Sequence, residues 1–213
     1  MRNAENIRAV EQLDIDWMGF IFYPGSARYV PPTDESAAAI RSCSKVKVGV
    51  FVNASHDEII RTFAAYRLDY VQLHGNESPD DCRHLQEAGC NVIKAISVSS
   101  ESDILQTSKY ESVVDYFLFD TPPAPPLPGT QQTVYGGTGQ RFDWSVLKSY
   151  HGHTPFLLSG GIGLEHLADL AAFRHPQLAG FDVNSRFELS PALKDTGKLK
   201  QFVCEARKFL SEN

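Results

Sequence analysis

The chain has 213 residues, of which 42% are hydrophobic and 22% charged, with 15 Gly and 12 Pro. Such globular composition excludes long disorder and fibrous repeats, and a core of this size holds without disulfides or metals. The net charge of −6 comes without a Lys/Arg run, which argues against a nucleic-acid partner, and no stretch approaches the ~18 apolar residues of a membrane span.

In chain order, the opening MRNAENIRAV lacks the apolar core of a signal peptide. Trp17–Phe22 and Val46–Val52 are β-rich runs. Ser55-His56-Asp57-Glu58 reads as a capping box, ahead of Ile59, Ile60 and Phe63 at helical spacing. A third strand, Tyr70–Leu73, precedes Ser78-Pro79-Asp80-Asp81. That tetrad joins a cap, a first-turn proline and two acids, and predicts a helix to about Ala88, which Gly89 stops. Strands follow at Val92–Ile96, Tyr116–Asp120, Phe156–Ser159 and Gly180–Val183. Leu199, Phe202, Val203, Ala206, Phe209 and Leu210 form the apolar stripe of a last helix.

Strands this apolar are buried on both faces, as in parallel sheets, and their regular alternation with helices means βα units. One unbroken series with no linker predicts a single domain over residues 1–213. About seven such strands suit a (β/α)8 TIM barrel. A doubly wound sheet lacks its expected GxGxxG here. Thr121–Thr138 breaks the rhythm: five prolines and Gly129 make it a long loop, either a plain linker or a loop over an active site. The cysteines Cys43, Cys82, Cys90 and Cys204 form no CxxC pair, which suits reduced thiols in a cytoplasmic protein.

In a barrel the strand C-terminal ends surround the site. Asp120 ends YFLFD, where burial would raise its pKa and suit a general acid; capping the next turn is the plainer alternative. Gln72 and His74, two residues apart on extended backbone, point to the same side and could bind a polar substrate; a surface histidine beside a turn glycine is the more common case. Ser159-Gly160-Gly161-Ile162-Gly163 follows the penultimate strand. Its glycines would let backbone N–H groups approach an anion near a helix start. Asp182 would be an inward-facing acid, with Asn184 and Ser185 as further N–H donors; Arg186 reads as a surface salt bridge. Tyr135-Gly136-Gly137-Thr138-Gly139 could fold over a substrate or simply end the loop. Arg28, after WMGFIFY, could bind a carboxylate at two points; a solvent-facing arginine is the more common case, and periodicity does not decide between them. No metal-ligand spacing is present.

Together these motifs resemble phosphoribosylanthranilate isomerase, the tryptophan-pathway barrel enzyme. The likeness rests on Met1-Arg2 with Glu5-Asn6-Ile7, then GFIFYPGSARYV, VGVFVN, QLHGNE, LFDT, YGGTG with FDW, LSGGI and FDVNSRFE, in that order. It implies an Amadori rearrangement of N-(5-phosphoribosyl)anthranilate to the corresponding 1-deoxyribulose 5-phosphate, with no cofactor or metal. Its partner is this one small molecule, and the protein is a monomer or homodimer. By match, Asp120 is the general acid and Arg28 holds the anthranilate carboxylate. Gly160, Gly161, Asn184 and Ser185 hold the phosphate, Asp182 is a supporting acid, and Gln72 and His74 line the site.

Two departures stand out. The family carries a strand ending Cys-Gly directly before the Met-Arg that here is Met1-Arg2, and its cysteine is the general base. The sequence therefore predicts a barrel without its first strand, with an open gap between Trp17–Phe22 and Gly180–Val183 that leaves the chain poorly stable or is patched by another segment or another chain, and little isomerase activity. A late-assigned start is favoured over a truncated gene. Asn184-Ser185-Arg186 also replaces a more usual Ser-Ser-Gly. The alternatives are a catalytically inactive phosphate-binding barrel, or another phosphosugar barrel. The latter would need metal-binding His/Asp or Lys/Glu sets that are missing here.

Overall fold

A computed structural model describes residues 1–122 and 141–210. The Tyr135–Gly139 motif, and the proline loop beyond Pro122, lie outside the described residues. Seven strands form one parallel, curled sheet in sequence order: β1 (Trp17–Ile21), β2 (Val46–Phe51), β3 (Tyr70–Leu73), β4 (Asn91–Ser97), β5 (Tyr116–Asp120), β6 (Phe156–Leu158) and β7 (Leu178–Phe181). The helices between and around them are α1 (Ala4–Glu11), α2 (Asp34–Ser42), α3 (His56–Tyr66), α4 (Pro79–Glu87), α5 (Glu101–Leu105), α6 (Leu167–Ala172) and α7 (Thr196–Leu210). A short antiparallel hairpin, β8 (Glu188–Ser190) with β9 (Leu193–Lys194), leads into α7. No helix among the described residues is long and apolar enough to cross a membrane.

Local chemistry sets several boundaries. In α4 the box is complete: Ser78 Oγ accepts from Asp81 N at 3.2 Å, and Asp81 Oδ2 accepts from Ser78 N at 2.7 Å. Gly89, at φ +86°, then takes the left-handed turn that ends it. At α3 the expected box is a single cap, because Ser55 Oγ accepts from Glu58 N but no return bond forms among the described residues. The seventh strand begins and ends two residues earlier than the sequence suggests. Asp182 N still donates to Leu158 O, but the chain leaves extended geometry by Asn184, at ψ −94°.

Strand alternation splits the core in two. One face of the strands, including Phe20, Phe51, Phe117, Phe119 and Phe156, packs against Ile7, Ile40, Ile59, Leu85 and Leu170 of the helices; all are fully buried. The other face fills the barrel in tiers. Trp17 stacks on Tyr70 at 4.8 Å and meets Tyr116 edge-on at 5.1 Å. Val48, Ile93, Ala95 and Leu118 pack with these rings as a separate cluster. Toward the mouth the inward positions become polar, at Gln72 two residues beyond Tyr70 and at Asp120 four residues beyond Tyr116. Each full burial of a large apolar side chain is worth roughly 1.5–3 kcal/mol, so the tiers anchor the strand ends that carry the polar groups.

Strands β1 and β7 form no ladder with each other among the described residues. On that edge of β1, Gly19 O accepts from the Met1 amine at 3.2 Å and Ile21 O accepts from Val30 N at 2.8 Å. A cavity of about 780 Å³ opens there and continues to the C-terminal mouth of the strands.

Candidate active site

The cavity brings together every site residue expected from the sequence: Arg28, Gln72, His74, Asp120, Gly160, Gly161, Asp182, Asn184 and Ser185 all line it. They fall into an acid end, a glycine turn and a cation end.

The acid end comes directly off strands. Gln72 Nε2 lies 3.0 Å from His74 Nδ1, so β3 places both side chains on one side. His74 Nε2 lies 3.3 Å from Asp120 Oδ2. Asp120 Oδ1 accepts from Thr121 N at 2.7 Å. With the Gln72 amide donating to Nδ1, the imidazole carries its proton on Nε2 and donates it to Asp120. Across the barrel, Ser159 Oγ donates to Asp182 Oδ2 at 2.9 Å. Burial pushes the Asp182 carboxyl above its ordinary range; the Ser159 bond opposes this and the nearby Asp120 charge adds to it. Desolvation thus favours the protonated form of Asp182.

The glycine turn sits against the acid end. Gly160 and Gly161 have φ of +90° and +64°, which side-chain-bearing residues rarely adopt. A Cβ at Gly160 would stand 2.8 Å from Thr121 N and 3.2 Å from Asp120 Oδ1. The turn therefore needs glycine both for its conformation and for its approach to Asp120. Among the described residues no acceptor takes the backbone N–H groups of Gly160, Gly161, Asn184 or Ser185, and their positions on the cavity wall suit an anion. Arg186 pairs with Glu165 at the surface.

At the cation end, Arg28 Nε donates to both oxygens of Glu188 at 3.1 and 2.9 Å, and its Nη2 reaches Oε2 at 2.7 Å. Lys194 Nζ reaches Glu188 Oε1 at 3.3 Å. Burial alone would push the Glu188 carboxyl up, but the bonds and charges of Arg28 and Lys194 outweigh it and hold the group below its ordinary range. Burial pushes the Lys194 ammonium down, against the pull of Glu188 and Asp182. Sequence reading missed the roles of Glu188 and Lys194. Glu188 was visible only as the last letter of FDVNSRFE, and Lys194 lies in no strand-end motif.

No cysteine lines this cavity. Cys43, Cys82 and Cys90 are buried and Cys204 is exposed on α7. Burial raises all three buried thiols, Cys82 to about 12, so they are inert rather than nucleophilic. Among the described residues no group of three or more His, Cys, Asp or Glu side chains could hold a metal.

A family profile described as N-(5'phosphoribosyl)anthranilate (PRA) isomerase matches residues 1–205. An N-(5'-phosphoribosyl)anthranilate isomerase of Parabacteroides distasonis is 50% identical, over 95% of this chain and 89% of that protein. One of Phocaeicola vulgatus is 47% identical, over 95% and 93%. The fold is similar to monomers derived from the dimeric Thermotoga maritima enzyme, with a TM-score of 0.81 at 29% identity, over 98% of this chain and 95% of that one. It is also similar to a phosphoribosyl anthranilate isomerase solved with reduced 1-(o-carboxyphenylamino)-1-deoxyribulose 5-phosphate, with a TM-score of 0.78 at 29% identity, over 98% and 95%. Barrel, cavity and matched length agree, and the chain belongs to the N-(5'-phosphoribosyl)anthranilate isomerase family.

Proposed function

We propose that this cavity binds N-(5-phosphoribosyl)anthranilate and carries out its Amadori rearrangement in cytoplasmic tryptophan biosynthesis, within one barrel domain spanning the chain. The observation that carries the reading is the convergence of an acid, an anion-binding turn and a guanidinium on one cavity of about 780 Å³. The four free cysteines are compatible with a reducing compartment.

Asp120 is the general acid. Its carboxyl stands beside the His74 ring, with Oδ2 3.3 Å from Nε2. The acid form gives the proton to the ribose ring oxygen. The ring C–O bond then breaks as the anthranilate nitrogen pushes its electron pair toward C1, leaving a Schiff base. Loss of the C2 proton to a base gives the enolamine, which becomes the ketone. Arg28 faces the anthranilate carboxylate, and the N–H groups of Gly160, Gly161, Asn184 and Ser185 face the phosphate. Gln72 fixes the His74 ring, and Asp182 supports Asp120 as a second proton holder. The reaction is proton transfer throughout, so side chains suffice for it.

None of Cys43, Cys82, Cys90 and Cys204 lines the cavity, so none of these thiols takes the C2 proton. Loss of a general acid or base costs about 10²–10⁴-fold. The test is an isomerase assay beside the Parabacteroides distasonis relative, with calorimetric binding of the reduced carboxyphenylamino-deoxyribulose phosphate. Binding is expected, with turnover that Asp120→Asn lowers by that factor. Absence of binding sinks the reading. Binding with no turnover above the uncatalysed rate would instead select a barrel that binds without reacting.

A further inference from the structure

Lys194 lies in β9, outside the strand ends, yet it touches both anion-binding regions. Its Nζ donates to Asn184 O at 3.0 Å, to Asn184 Oδ1 at 2.6 Å and to Glu188 Oε1 at 3.3 Å. An ammonium has three N–H donors, and all three are committed. Lys194 therefore has no donor left for a ligand and acts through its neighbours. One neighbour, Glu188, grips Arg28. The other, Asn184, belongs to the turn assigned to the phosphate.

The backbone of Lys194 is itself fixed. Asn6 Nδ2 donates to Lys194 O at 2.9 Å, and Lys194 N donates to Asn6 Oδ1 at 2.8 Å. This two-point clamp joins residues 188 apart in sequence, and Asn6 is 8% exposed. The side chains of Lys194 and Glu188 are 10% and 4% exposed, so water does little to screen them. Arg28 and Lys194 together outweigh Glu188 by one positive charge. The donors of Arg28 beyond those bound to Glu188 have no partner among the described residues, and Arg28 lines the cavity. A bound carboxylate there would neutralise the cluster.

We propose that Lys194, clamped by Asn6, is a positioning residue that couples the two ends of the substrate site, setting Arg28 through Glu188 and the phosphate turn through Asn184. The proposal rests on the isomerase reading above. It predicts that one substitution, at a residue that touches no ligand, weakens binding of both halves of the ligand.

The test titrates three probes: the reduced carboxyphenylamino-deoxyribulose phosphate, its dephosphorylated form for the carboxylate end, and ribose 5-phosphate for the phosphate end. In Lys194→Met each half-ligand is expected to weaken about tenfold or more, the effect of losing a charge-assisted hydrogen bond. Arg28→Met should weaken only the carboxylate-bearing halves. Lys194→Met binding either half-ligand as tightly as the unmodified chain overturns the coupling. A purely structural role would lower the melting temperature and leave half-ligand affinities of the folded protein unchanged, which also overturns it. Should Lys194→Met not fold, Asn6→Ala keeps the ammonium but frees its backbone. Weaker binding of both halves is again expected, and unchanged binding of either overturns the proposal. Failure of the unmodified chain to bind the full analogue sinks the isomerase reading and this inference with it. Binding by the unmodified chain with no change in the variants sinks the inference alone.

Discussion

The two ends of the cavity solve the same problem, holding charge out of water, in opposite ways. At the acid end, Asp182 is half-buried with one hydroxyl partner and is driven toward its neutral form. At the cation end, Glu188 is buried against two cations and is driven toward its charged form. A carboxyl with one weak partner gives up its charge, whereas one with an Arg fork and a Lys keeps it. The first arrangement stores a proton, and the second stores an oriented guanidinium.

The sharpest way to break this comparison is to remove the carboxyl at each end. Glu188→Ala leaves Arg28 and Lys194 without their shared counter-charge, and breaking a buried pair from one side costs about 3–5 kcal/mol. Asp182→Asn removes no charge that the fold favours, so urea unfolding at neutral pH should show little loss or a gain. Equal losses in the two variants would refute the contrast.

A smaller effect comes from the turn between the ends. Gly160→Ala puts a Cβ 2.8 Å from Thr121 N at a φ of +90°, and such strain costs about 1–3 kcal/mol. Denaturant melts give the loss, and a variant as stable as the original would mean the turn is free to relax.

The smallest effect is the dependence on pH, where the two ends have opposite signs. Glu188 has a lowered folded pKa, so its contribution is present above its ordinary value and is lost as pH falls through the lowered one. Asp182 has a raised folded pKa, so its contribution is complete below its ordinary value, roughly pH 4, and is lost as pH rises through the raised one. Stability measured across acid pH should flatten on the low side in Glu188→Gln and on the high side in Asp182→Asn. A profile left unchanged by either substitution would show that the group does not titrate as described.

The acid end was legible in the sequence because strand geometry is local. Period two places Gln72 beside His74, and Tyr116, Leu118 and Asp120 on one face, whatever surrounds them. The glycine turn was legible for a similar reason, since Gly160 and Gly161 mark backbone that other residues avoid. The cation end was only half visible. Arg28 stood out as a residue type, but its partner Glu188 is 160 residues away, and no periodicity links them. Seven strand positions were recovered, while the end of β7 shifted because the turn at Asn184, rather than apolar content, terminates pairing.

The sequence alone determined the parallel βα order, the inward-facing strand-end residues and the turn that must be glycine, because alternation, burial and backbone freedom are properties of neighbouring residues. The tertiary structure decided which carboxyl keeps its charge and which residue holds Arg28. It also decided that Asn6 and Lys194, from opposite ends of the chain, form one clamp. Those outcomes depend on dielectric surroundings and on donors counted in three dimensions, which only the assembled fold supplies.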